Sequence, residues 1–201
     1  MLFVCIFNKV MMENIAVFAS GSGTNVENIA KYFADSQSIR VVLVVSNNPN
    51  AGVHARANRL GIPSVTFSNQ EVADGHEIVR KLAEYQVNRI ILAGFLRKIP
   101  DSIRLAFPGK IINIHPALLP KHGGQGMYGK RVHEAVVSAG DTESGITIHY
   151  VNENYDDGQI IFQARCPVWP SDSPDDVASK VHALEYEHYP RVIESILLTS
   201  E

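Results

Sequence analysis

RVVLVVS, residues 40–46, is the stretch that decides the fold. Between Arg40 and Ser46 stand five apolar residues, four of them β-branched. A strand with one wet face alternates apolar and polar positions. This run does not alternate, so it reads as a strand covered on both faces, as in a parallel sheet sandwiched by helices. Upstream, the apolar run Ile15–Ala19 ends in the small-residue turn Ser20-Gly21-Ser22-Gly23-Thr24, and a helix is expected over Asn25–Phe33. Downstream, Gly52–Leu60 reads as a helix that Gly61 is placed to end. A short strand follows at Pro63–Phe67, then an amphipathic helix at Gly75–Tyr85 with Ile78, Val79 and Leu82 on one side. RIILA (89–93) and KIINI (110–114) are further buried strands, with a short helix at Asp101–Phe107 between them. The alternation predicts an α/β fold: a doubly wound, mainly parallel, Rossmann-like sheet with helices on both faces.

Past residue 120 the pattern changes. KHGGQGMYGKR (121–131) carries glycines at 123, 124, 126 and 129 and is expected to be a mobile loop, a lid beside the site. Val132–Ala139 reads as a short helix, and Gly145–Val151 and Gln159–Cys166 as strands flanking the polar stretch Asn152–Gly158. Ser173 can cap a last helix, with Pro174 at its first position and Asp175 and Asp176 at its positive end. It should run to about Leu198, bent near Pro190. Without repeats or linkers, one domain over residues 12–198 is expected. Residues 1–11 read as an N-terminal extension, too short to span a bilayer and without the basic region and cleavage site of a signal peptide, which is the minority reading.

Length and charge narrow the function. A chain of 201 residues, 45% of them hydrophobic, builds one full-sized core. A net charge of −3 argues against a general nucleic-acid binder, although one local positive patch can still take a small anion. Cys5 and Cys166 are far apart and form no CxxC, so neither structural zinc nor a disulfide framework is expected, and the cytoplasm is the simplest compartment. His54, His76, His122, His133, His182 and His188 show no ligand spacing, and no metal is expected.

Four segments carry candidate chemistry. GSGTN, residues 21–25, lies where a buried strand turns into a helix, and glycines there let backbone N–H groups meet an anion at the helix N-terminus. The spacing is neither GxGxxG nor a P-loop, so a phosphate monoester suits it better than a dinucleotide or triphosphate. An ordinary strand-to-helix turn remains the alternative. Asn113 and His115 sit at the end of a strand, two apart and so on one side of it. An amide that stabilises an oxyanion beside an imidazole that moves protons is the pair an acyl-type transfer requires; a buried histidine bonded to backbone is the other reading. The acidic stretch NENYDDG (152–158) could return a carboxylate to His115 and raise its pKa, or be a solvated turn. AGFLRKIP (93–100) could line a flat aromatic ligand or simply lead into a helix. His149 reads as a core histidine or a support for the site.

Taken together, GSGTN, AGFLRKIP, INIHPALLP and HYVNENYDDGQII resemble the phosphoribosylglycinamide formyltransferases from about Met12 to Ile196. The resemblance implies an N-terminal phosphate-binding half and a C-terminal folate-contacting half. It implies transfer of a formyl group from 10-formyltetrahydrofolate to the amine of glycinamide ribonucleotide, by direct attack through a tetrahedral intermediate. Asn113, His115 and Asp156 match the catalytic set; Gly23, Thr24 and Asn25 the phosphate-contacting positions; Glu185 the glycinamide end; Leu96, Arg97, Lys98 and Ile99, with Asn152 and Glu153, the folate segments. The partners implied are small-molecule substrates, with no nucleic acid or membrane, on a monomer or homodimer. Two departures stand out. The loop after INIHPALLP is longer, leaving positions 122–133 without counterparts. Asn69-Gln70-Glu71 lacks the basic residue that meets the folate tail in some relatives.

Methionyl-tRNA formyltransferase shares the Asn-x-His and Asp elements but carries a further domain and needs a basic surface. Formyltetrahydrofolate hydrolase lacks GSGTN. A binding module without turnover would have lost Asn113, His115 or Asp156, and all three are present.

Overall fold

The computed structural model describes residues 12–199; the extension expected at 1–11 lies outside the described residues. The strands are β1 (Glu13–Phe18), β2 (Ile39–Ser46), β3 (Ser64–Thr66), β4 (Arg89–Leu92), β5 (Ile111–His115), β6 (Glu143–Tyr150) and β7 (Ile160–Pro167). The helices are α1 (Thr24–Tyr32), α2 (Gly52–Arg59), α3 (Asn69–Asp74), α4 (His76–Glu84), α5 (Asp101–Ala106), α6 (Lys130–Ser138) and α7 (Pro174–Thr199). One sheet takes the order β3-β2-β1-β4-β5-β6-β7. The first five strands in that order pair in parallel, and β6 and β7 are added antiparallel.

Burial on both faces explains the unbroken apolar runs. Ile15, Val17 and Val44 face one core, with Val26, Ile29, Val53, Val181 and Ile193 from α1, α2 and α7. Ala16, Phe18, Leu43 and Val45 face the other, with Val72, Ile78, Leu82 and Ile103 from α3, α4 and α5. A one-residue slip would exchange both sets against helices shaped for the other, so the register is strongly fixed.

The chain order also makes a crevice. From β1 it moves outward through β2 and β3, then returns to lay β4 on the opposite side of β1. Connections therefore diverge from the C-terminal ends of β1 and β4, and ligands bind at such a switch point. Pairing continues just past both strands: Ala93 N–H donates to Phe18 O at 2.8 Å, and Ser20 N–H to Gly94 O at 3.0 Å.

Helix α3 is an element the sequence reading passed over. Its start is a capping box: Ser68 Oγ accepts from Glu71 N–H at 3.2 Å, and Glu71 Oε2 accepts from Ser68 N–H at 2.6 Å. Ser68-Asn-Gln-Glu71 is the pattern that announces it. At α7, Asp176 N–H donates to Ser173 Oγ at 3.2 Å and Ser173 N–H to Asp176 Oδ2 at 2.9 Å, so Ser173 caps as expected. Pro190 lies inside α7 without ending it. Lys130 and Arg131, expected in the glycine-rich loop, open α6. Gly158 explains the D-x-G pattern: a Cβ there would stand 1.7 Å from Tyr150 O, so only glycine lets the chain enter β7 beside the end of β6.

Candidate active site

A cleft of about 540 Å³ opens at the switch point. Gly23, Thr24, Asn25, Leu96, Arg97, Asn113, His115, Asp156 and Glu185 line it together, although they come from five separate parts of the chain.

At one corner, Gly23 caps α1 with φ 77° and ψ 26° and no side chain bonds the helix end. The first-turn N–H groups therefore lack a side-chain acceptor, the condition for an anion site. Glycine is required twice over. Its φ is left-handed, and a Cβ would lie 2.5 Å from Val53 Cγ2 and 2.8 Å from Val53 Cα, inside the packing of α2. Next to this corner Asn25 Nδ2–H donates to Glu185 Oε2 at 2.9 Å. Burial raises the pKa of Glu185, with Asn25 and His182 opposing. Asn25 Oδ1 and His133 Nδ1 are buried without a partner, and both residues border the cleft.

Past the end of β4, Leu96 N–H donates to Ser20 Oγ at 2.9 Å, which fixes the 94–97 turn to the end of β1. Arg97 Nε–H donates to Asn69 Oδ1 at 2.7 Å. The other four expected folate contacts are not on the cleft wall. Ile99 is 4% exposed and belongs to the second core. Lys98 Nζ lies 6.0 Å from the centre of the Tyr155 ring. Glu153 is drawn to Arg104 at 3.9 Å, and Asn152 Oδ1 accepts from Asn154 N–H at 2.9 Å within its own turn.

The polar cluster stands at the C-terminal end of β5, with Asp156 reaching it from the stretch between β6 and β7. His115 is 3% exposed, and its Nε2 is 2.8 Å from His122 O. A carbonyl only accepts, so Nε2 carries the hydrogen and Nδ1 faces Asp156 Oδ2, 3.5 Å away. Burial lowers the His115 pKa; Asp156 and the His122 carbonyl push it up but do not prevail. The expected rise is therefore present as a component and outweighed by desolvation. Asp156 sits at φ 52° and accepts from Gly124 N–H at 3.0 Å. Burial opposes its charge, yet the His149 and His115 rings in their protonated forms, together with that N–H, hold its carboxyl below the usual value.

His149 stands opposite Asn113 across the β5–β6 pair. Its Nδ1 is 2.9 Å from Tyr150 O, so Nδ1 donates there and Nε2 accepts from Asn113 Nδ2–H at 3.0 Å. That contact fixes which end of the Asn113 amide is nitrogen and leaves its other hydrogen a long 3.5 Å approach to Asp156 Oδ1.

The sequence reading assigned no role to several cleft residues, among them Tyr128, Arg131, His133 and His182. His182 stood three before Glu185, the spacing of one helix face, and that signal was available. Tyr128 and Arg131 fell in the glycine-rich loop, whose fold no local pattern fixes, and His133 fell on the helix expected after it, whose placement depends on that loop. Among the described residues no group of three or more His, Cys, Asp or Glu is arranged to hold a metal ion.

A doubly wound sheet with Asn113, His115 and Asp156 at its switch point defines a class, and the Formyl transferase family model matches residues 13–193: the chain belongs to that family. Its relatives specify the branch. It is 42% identical over 190 residues to the chloroplastic phosphoribosylglycinamide formyltransferase of Arabidopsis thaliana, covering 92% of this chain and 65% of that one. It is 36% identical to the phosphoribosylglycinamide formyltransferase of Haemophilus influenzae, covering 91% of this chain and 86% of that one. The crystal structure of the enzyme of that name from Anaplasma phagocytophilum superposes with a TM-score of 0.86 at 34% identity, over 93% of this chain and 87% of that one.

Proposed function

We propose that this chain moves the formyl group of 10-formyltetrahydrofolate onto the primary amine of glycinamide ribonucleotide, a step of purine synthesis, in the cytoplasm. The observation that carries the reading is the convergence of an uncapped helix N-terminus with the Asn113–His115–Asp156 cluster in one cleft. An anionic ribonucleotide suits the first and an acyl-type transfer the second. The partly exposed Leu96, Tyr128 and Tyr155 offer apolar surface for a fused ring, and the orphaned Asn25 Oδ1 and His133 Nδ1 await polar partners from a substrate.

The amine nitrogen bonds to the formyl carbon, and the tetrahedral intermediate collapses as the bond from that carbon to folate N10 breaks, so that tetrahydrofolate leaves with its N10 carrying the proton the amine has lost. Asn113 holds its amide nitrogen toward the reacting centre, anchored by His149; the hydrogen now making the long approach to Asp156 is free to meet the oxyanion. His115 Nδ1 takes up and returns the proton, and Asp156 Oδ2 is its route to the cleft, since Nε2 is committed to His122. Glu185, locked by Asn25, orients the amine end. The alternative of hydrolysis of the formylfolate lacks a use for the anion corner.

Three variants test this at saturating substrates: Asn113→Ala, His115→Ala and Asp156→Asn. Loss of the oxyanion donor should lower kcat by roughly 10²–10³, and loss of the proton carrier by about 10²–10⁴. Three folded variants with near wild-type kcat would sink the catalytic assignment.

A further inference from the structure

We propose that Asp141, acting through His122, is a positioning residue for His115: it pins the carbonyl that receives the His115 ring hydrogen. This rests on the catalytic reading of His115 given above. The chain of contacts is short. His115 Nε2–H donates to His122 O at 2.8 Å. His122 takes φ 53°, a left-handed conformation that a residue with a Cβ adopts only when its surroundings hold it there. Its own ring is tied back, with Nε2 at 2.7 Å from Asp141 Oδ2. Asp141 is held in turn by Lys121 Nζ at 3.1 Å from Oδ1, and by its position in the turn after α6, where Asp141 N–H donates to Val136 O at 3.3 Å.

Neither His122 nor Asp141 borders the substrate cleft. Both border a separate cavity of about 220 Å³ behind the 117–122 turn. They therefore act on the reaction only through what they hold. Release of the His122 side chain lets its backbone relax out of the left-handed region, and its carbonyl turns from His115. The buried imidazole then has no acceptor for Nε2–H, and nothing keeps Nδ1 toward Asp156. Asp156 and His149 face the ring from β6 and the turn after it, His133 lies near from α6, and His122 is the contact from the loop. Only the last sets the tautomer by accepting from Nε2.

The test pairs kinetics with imidazole nitrogen NMR on the full chain. Wild type should show His115 as the Nε2–H tautomer. Asp141→Ala should lower kcat about tenfold or more, change both KM values less than about twofold, and give His115 a mixed tautomer signal. The kcat limb that His115 titrates should move to lower pH, because an acceptor that favours the protonated ring is gone. Asp141→Asn, which keeps an oxygen acceptor for His122, should restore most of kcat. Should Asp141→Ala fail to fold, a pair at 122 decides: His122→Gly takes a left-handed φ freely and should keep more of kcat than His122→Ala. Wild-type kcat and tautomer in Asp141→Ala, or equal kcat in the two 122 variants, overturns the positioning role while an inactive His115→Ala leaves the catalytic reading intact. An active His115→Ala overturns that reading itself.

Discussion

His133 makes stability depend on pH. It is 2% exposed, and burial, with His182 and His115 adding to it, brings its pKa down to about 4. An unfolded chain titrates the same ring near its ordinary value of 6.5. Between those values the unfolded state binds the extra proton. The contribution is thus fully present above pH 6.5 and is lost as pH falls toward 4, to a limit of about 3 kcal/mol. Denaturant midpoints at pH 7.5 and pH 5 should fall further for wild type than for His133→Asn, and parallel falls would count against the buried neutral ring. His115, also depressed by burial, contributes in the same direction. At this scale the sequence was partly legible. Asn113 and His115 shared a strand face by alternation alone. The partners that orient them, the His122 carbonyl and the His149 ring, depend on a loop's backbone and on cross-strand register, neither of which a local pattern encodes.

Helix α7 is where local signal and tertiary packing meet. Its cap was readable at Ser173-Pro174-Asp175-Asp176, but its job in the site depends on Tyr189, which is fully buried. The Tyr189 O–H donates to Leu92 O at 2.9 Å and reaches Ile112 O at 3.3 Å, bracing β4 and β5 from the helix that carries Glu185. Tyr189→Phe keeps the ring and strands those carbonyls, so unfolding should need about 1–3 kcal/mol less. Because Glu185 and Tyr189 are one helical turn apart, the KM for the ribonucleotide should rise more than that for the folate. Unchanged stability with unchanged KM would show that the bracing bond does not matter. The glycine-rich loop was legible as irregular but not in its contacts. Gly124 N–H and His122 O engage Asp156 and His115, so the segment is built into the reactive cluster as well as lying beside it. Helix α3 was missed although its capping box was in plain view, because the six residues it spans are too few for apolar periodicity to register.

For the molecule as a whole, the continuous apolar runs required a sheet covered on both faces, and the observed strand order puts a switch point between β1 and β4. Alternation of strands and helices could predict the class of fold. It could not say which pair of strands the chain would straddle, and that crossing is what brings GSGTN, the 94–97 turn and Asn113–His115 into one cleft. The proposed transfer requires two substrates to meet at that crossing. The most direct measurement is the initial rate of folate absorbance change with purified protein and 10-formyltetrahydrofolate, with and without glycinamide ribonucleotide. The predicted result is turnover that requires the ribonucleotide and yields one formylated amine per folate released. Deformylation at the same rate without the ribonucleotide, or no turnover with both substrates present, would contradict it.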